Sequence, residues 1–137
     1  MENLKTLTVL FRATNSLERI IREDVFQYGL NISEFGVLEA LYHKGQLTVK
    51  QVIEKVLIAN SSMTYVLDIL IKKNYITRKQ SETDKRSFVL ELTETGKKLM
   101  DKIFPLHEKN MRAILDCLNA EEEKTLQRAL IKIGKGV

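Results

Sequence analysis

The chain holds 137 residues, 44% of them hydrophobic and 29% charged, which is enough for one domain with its own core. Its single cysteine excludes an internal disulfide, and the absence of any Cys-x-x-Cys pair argues against a zinc site. No apolar run approaches the roughly 20 residues needed to span a bilayer, and residues 1–5 open an amphipathic pattern rather than a signal peptide, so a cytoplasmic protein is expected.

In chain order, Leu4, Leu7, Leu10, Phe11, Leu17, Ile20, Ile21, Val25 and Phe26 recur at helical spacing and predict one long helix over residues 4–28, ended by Gly29. Its apolar arc is too wide for one modest core face. A second helix is expected to begin near Ser33, an N-cap type followed by Glu34, and to carry Phe35, Val37, Leu38 and Leu41 up to Gly45. Gln46 and Leu47 form an extended link. Thr48-Val49-Lys50-Gln51 then matches a capping box and starts a short third helix.

The fourth helix, over residues 59–73, sorts its faces sharply. Ala59, Met63, Val66, Leu67 and Leu70 fall on one side, with Ser61, Tyr65, Asp68 and Lys72 on the other. Two strands follow, residues 75–79 and 88–92, joined by a charged loop at 81–86. Thr93 is placed to cap a long fifth helix running to Leu118, which Pro105 should kink by removing a backbone donor and crowding the preceding turn. Asn119-Ala120-Glu121-Glu122 opens a last helix with Leu126, Leu130 and Ile133 on one face. No linker, repeat or low-complexity tract interrupts this order.

Helix, turn, helix and hairpin in that order predict a mainly α fold with a small β-hairpin wing, a winged helix-turn-helix over about residues 32–96 of a single domain. The net charge of the chain is only +4, but residues 72–86 carry six basic against two acidic side chains, so the whole excess sits beside the hairpin. A local basic patch supplies the phosphate attraction that duplex DNA binding needs. A polar helix face can enter the major groove while the hairpin reaches the neighbouring minor groove. The competing reading of the charge run is an ordinary solvated face. The terminal helices, about residues 3–28 and 97–135, hold more apolar surface than a module of about 60 residues uses, and packing them on a second copy would give a two-fold dimer. The alternative is a larger monomeric core.

Ser61-Ser62-Met63-Thr64 at the start of the fourth helix, Lys72-Lys73-Asn74-Tyr75-Ile76-Thr77-Arg78 leading into the hairpin, Asp84-Lys85-Arg86 at its tip and Leu92-Thr93-Glu94-Thr95-Gly96 after it make the chain resemble the MarR family of bacterial transcriptional regulators over nearly its whole length. The resemblance implies a homodimer that binds a palindromic operator, often as a repressor, and leaves DNA when a small ligand or oxidation reshapes the dimer. Carried over position by position, Arg86 is the wing arginine of the minor groove and Asp84 the acid that orients it. Ser61, Ser62, Thr64 and Tyr65 face bases or phosphates, and Lys50, Gln51, Lys72, Lys79 and Lys85 touch the backbone or the wing groove. The chemistry agrees, since a weakly hydrated, forked guanidinium suits a narrow electronegative groove.

Tyr65 and Ile69 depart from the family, which often carries basic residues at both places. Tyrosine would meet a phosphate or a thymine methyl rather than read guanine, and Ile69 is expected to pack under the wing. Thr64-Tyr65-Val66 and Ile103-Phe104-Pro105-Leu106-His107 are similar to the branch responding to quinones and phenols. A small aromatic effector is therefore expected in a cleft lined from Phe11, Asn15, Phe35 and Tyr42, between the dimer helices and the winged module.

Other readings compete. Catalysis lacks a constellation: His43 and His107 lie on different helices, the glycines are scattered, and no nucleophile has a base beside it. No cofactor is expected, and no metal, because His107, Glu108, Asp101 and Cys117 form only a set that helical spacing produces by chance. Cys117, among Ile114, Leu115 and Leu118, reads as a buried structural thiol, with a redox-sensing repressor as the alternative. A regulator without any effector, or a winged module used only for protein contacts, completes the range. His107 reads as a polar surface or interface residue.

Overall fold

The computed structural model describes residues 2–56 and 62–136. A 3-10 turn, Glu2–Leu4, leads into α1 (Lys5–Phe26), which closes where Gly29 turns the chain at φ 77° and the Leu30 amide reaches back to the Val25 carbonyl. The second helix, α2 (Ile32–Lys44), starts at Asn31 rather than Ser33. The Asn31 side chain accepts from the Glu34 amide at 2.8 Å, and the Glu34 carboxylate accepts from the Asn31 amide at 2.8 Å. Only a cap three residues before Glu34 can close this reciprocal pair, so Ser33 is drawn inside the helix and buried.

Residues 47–48 are a strand rather than a link. This β1 (Leu47–Thr48) precedes α3 (Val49–Lys55), whose expected capping box is present: Thr48 Oγ1 accepts from the Gln51 amide and Gln51 Oε1 from the Thr48 amide. The fourth helix, α4, spans Met63–Lys72, and the expected contributions of Ala59 and Ser61 lie outside the described residues. Its end is a Schellman motif. Asn74 adopts φ 63°, its amide bonds to the Ile71 carbonyl, and the Tyr75 amide bonds to the Leu70 carbonyl.

The hairpin strands β2 (Ile76–Gln80) and β3 (Phe88–Leu92) pair antiparallel from Ile76↔Leu92 to Gln80↔Phe88. β1 adds to the other edge through Leu47↔Leu90 and Thr48↔Val89, giving the order β1-β3-β2. Thr93 caps α5 (Glu94–Ile114) by accepting from the Gly96 amide, while its hydroxyl donates to the Asn74 carbonyl at 2.6 Å. Gly96 is required there, because a Cβ would stand 2.1 Å from the Tyr75 carbonyl oxygen. The fifth helix continues through Pro105 as one element and ends at Ile114 in a 3-10 turn, Leu115–Cys117, short of the expected Leu118. Asn119 closes the capping box of α6 (Ala120–Lys135) with Glu122.

The core lies under the winged module. Leu38, Leu41, Val52, Val66, Leu70, Ile76, Leu90, Met100 and Ile103 are buried together, so α2 is sandwiched by α3, α4 and α5 and by the sheet. By contrast α6 buries no side chain, and α1 buries only Asp24 and Val25. Leu7, Phe11, Leu126, Leu130 and Ile133 are all exposed on these two helices.

Candidate nucleic-acid interface

Amphipathicity positions the recognition helix. Val66, Leu67 and Leu70 anchor α4 in the core, which turns Ser62, Thr64 and Tyr65 outward; Tyr65 is 63% exposed. Ile69 is half-buried. The outward groups are hydroxyls that can meet bases or phosphates, on a helix that fits a major groove. Ser61 lies outside the described residues.

The wing tip is built differently. Asp84 does not orient the Arg86 guanidinium: its Oδ1 accepts from the Arg86 backbone amide at 3.0 Å and its Oδ2 from the Ser87 hydroxyl at 3.2 Å. A short acid followed by two backbone turns forms an Asx-type turn, so the carboxylate fixes the loop rather than the side chain. Ser81 completes the turn, accepting from the Thr83 and Asp84 amides at 3.3 Å, and its own amide bonds to the Ser87 carbonyl. Lys85 and Arg86 remain exposed, with no side-chain partner among the described residues.

Behind the tip, the Arg78 guanidinium sits 4.5 Å from the Phe88 ring centroid and braces the two strands against each other. Lys79 pairs with Glu91 at 2.7 Å. The Lys79 ammonium and the Gln46 amide together hold the Glu91 carboxyl below the usual carboxylate range. Lys50, Gln51 and Lys72 are exposed, but the Gln51 amide oxygen is already taken by the α3 cap, leaving its NH2 group for an outside acceptor.

A cavity of about 370 Å³ opens between α1, the first half of α2 and the second half of α5, lined by Ile21, Ile32, Phe35, Glu39, Phe104, His107, Met111 and Arg112. Of the four expected residues only Phe35 lines it. Phe11 and Asn15 are exposed on the outer part of α1, and Tyr42 stands two turns beyond Phe35, its hydroxyl donating to Asp101 at 2.7 Å. That hydrogen bond raises the tyrosine pKa above its ordinary value.

His107 is not a surface residue. It is 6% exposed, with Nδ1 2.7 Å from Asp24 Oδ2 and its ring 4.5 Å from that of Phe35. Asn110 Nδ2 donates to Asp24 Oδ1 at 2.7 Å, so α1 and α5 meet through a satisfied polar cluster at the cleft wall. Glu39 could have been found from its place one turn after Phe35 on the same helix face. Asp24 could not, because 83 residues separate it from His107.

Cys117 is exposed rather than buried, since the 3-10 turn that ends α5 carries its side chain away from the helix faces. Among the described residues, no group of three or more His, Cys, Asp or Glu side chains is placed to hold a metal ion. Among them, too, no helix is long and apolar enough to cross a membrane.

The model of the MarR family matches residues 30–88, the stretch from the start of α2 to the start of β3. The HTH-type transcriptional regulator MhqR of Bacillus subtilis (strain 168) is 38% identical over 133 residues, covering 97% of this chain and 92% of its own. Among solved structures, Sco3205, a MarR family transcriptional regulator from Streptomyces coelicolor in complex with DNA, superposes with a TM-score of 0.88 at 22% identity, over 98% of this chain and 87% of that one. A MarR mutant from E. coli complexed with operator DNA gives 0.82 at 21% identity, over 96% and 95%.

Proposed function

Because the chain belongs to the MarR family, a family of DNA-binding transcriptional regulators rather than enzymes, we propose that it acts as a homodimeric repressor of a palindromic operator and is released by a small aromatic ligand. The observation that carries the reading is the pairing of an outward polar face on α4 with an unengaged Lys85 and Arg86 at the wing tip. The first suits the major groove and the second the minor groove beside it. Lys50, Gln51, Lys72 and Lys79 flank these elements as backbone contacts.

Two-fold pairing rests on the bare apolar faces of α1 and α6. A dimer built on them would set two winged modules about one DNA turn, roughly 10 bp, apart. The cleft between α1, α2 and α5 is the place we assign to the effector, with Phe35 and Phe104 stacking on an aromatic ring and Glu39 and His107 as hydrogen-bond partners. A ligand there shifts binding only by its differential affinity for the two dimer geometries. A coupling of about 1–3 kcal/mol reduces DNA affinity roughly 5- to 150-fold.

The test combines sedimentation with titration of DNA selected by the protein from a random pool. Arg86→Ala is expected to weaken binding by about 1–3 kcal/mol with unchanged folding, since the residue contributes nothing to the core. Parent-like binding by that variant at physiological salt would remove the minor-groove assignment, and a stable monomer at micromolar concentration would remove the dimer. Hydroquinone, catechol and salicylate are then added to Cys117→Ser protein on DNA, with release expected for at least one.

The exposure of Cys117 favours a second reading, thiol-based release. Release by a quinone only when Cys117 is present would establish it in place of the cleft mechanism. No release by any compound would leave a constitutive DNA-binding protein.

A further inference from the structure

The two lysines that end the recognition helix point to different tasks. Both are exposed, but the ammonium of Lys73 turns back across the module to the start of α2, 2.7 Å from Glu34 Oε2 and 3.3 Å from the Gly29 carbonyl oxygen. The Glu34 side chain is only 5% exposed, and its other oxygen is held by the Asn31 amide in the α2 capping box. Both oxygens of a buried carboxylate are thus committed, one to the helix that lines the cleft and one to the helix that faces DNA.

We infer that Lys73 is a positioning residue, which sets the angle of the recognition helix by pinning its C-terminal end to Glu34, and that it makes no phosphate contact despite its place in the basic run. The physics separates it from its neighbours. The stripe of Val66, Leu67 and Leu70 holds α4 against the core, but apolar contact is non-directional and leaves the helix free to slide and tilt. A charge-assisted hydrogen bond to a buried, immobilised carboxylate has a defined length and direction. It acts at the end of α4, where the Asn74 turn leads at once into the wing, so one pin orients both DNA-facing elements. The Gly29 carbonyl adds the turn between α1 and α2 to the same point. This inference does not depend on any effector.

The experiment uses full-length protein and DNA that the parent protein selects from a random-sequence pool, titrated over a series of salt concentrations. Loss of a phosphate contact lowers the slope of log affinity against log salt by about 0.9, whereas a positioning residue lowers affinity at every salt and leaves the slope alone. Lys73→Met is expected to lose about tenfold in affinity with the parent slope, and Lys72→Met to lower the slope. Glu34→Gln keeps a capping acceptor and removes only the charge, and it is expected to lose affinity at the parent slope as well. Combined with Lys73→Met it should lose no more than the worse single variant, as expected for one shared interaction. Lys73→Arg should bind like the parent.

A slope reduced by about 0.9 in Lys73→Met would make the residue a phosphate contact and overturn the inference. Parent-like affinity in that variant, or additive losses in the double variant, would overturn it equally. If Lys73→Met does not fold, Glu34→Gln decides alone, because it has no route to a phosphate: a loss at the parent slope supports the pin and an unchanged affinity refutes it.

Discussion

The central module and the terminal helices carry the same sequence pattern and meet opposite fates. In the module Leu38 and Leu41 of α2, Val66 and Leu70 of α4 and Leu90 of β3 close on one another and are almost wholly buried. In α1 and α6 the leucines recur as regularly, yet Leu7, Leu126 and Leu130 stand 45%, 42% and 39% exposed. Periodicity therefore reports that a segment is helical and amphipathic, not what covers it. The contrast extends to the polar groups. In the module, Lys73 pairs with Glu34 and Lys79 with Glu91, each across elements, whereas α6 reaches α5 through the bidentate pair of Glu123 with Arg112.

Core truncation should separate the two regions most strongly. Leu38→Ala, at a site with no exposure, is expected to cost about 2–5 kcal/mol of stability, independent of protein concentration, in denaturant unfolding. The counterpart on α6 is Leu130→Asp. It is expected to leave the unfolding of a dilute sample near the parent value while weakening self-association, read by sedimentation across a concentration series. A large concentration-independent loss would instead make α6 part of a monomer core and break the comparison.

Within the module, Arg78→Ala removes the contact with Phe88 and should destabilise the hairpin by about 0.5–1 kcal/mol. Faster amide exchange in β2 and β3 of the variant, with α2 unchanged, would register this.

The smallest effect is a pH dependence. Glu91 is held low by Lys79 and Gln46, so the unfolded chain binds its proton more readily than the folded one does. The stability from this group is complete above its ordinary value of 4.5 and disappears as pH falls through the lower folded value. Because the pair is largely solvent-exposed, it amounts to about 0–1 kcal/mol. Unfolding of Glu91→Gln against the parent between pH 3 and 7 should therefore show a gap only above that transition.

Much of the fold was legible because its signals are local. The capping box at Thr48 and the cap at Thr93 each join residues three apart, and both are present as expected. The hairpin register follows from two alternating strands flanking a polar loop. The outward turn of Tyr65 needed only the position of Val66, Leu67 and Leu70 on the opposite face, whereas Ser62 and Thr64, both exposed, were singled out by the resemblance to the family. The errors are of another kind. β1 is two residues long, too short for any periodicity, and exists because β3 offers Leu90 and Val89 as partners. Cys117 is exposed because a 3-10 turn replaces the end of the helix, which stops four residues before Leu118, shifting the face on which the thiol falls.

What the sequence by itself determined is the order and polarity of the elements, the winged module and its basic tip, since these depend on backbone caps, side-chain period and charge within a few residues. What only the tertiary structure decided is which distant groups meet. His107 finds Asp24 across 83 residues, and Lys73 finds Glu34 across 39, while Phe11, Asn15 and Tyr42 are left out of the cleft that Phe35 lines. The reason is geometric: a pair of side chains meets when the angle and offset between two packed helices bring them within about 3 Å, and those are set by the whole core at once.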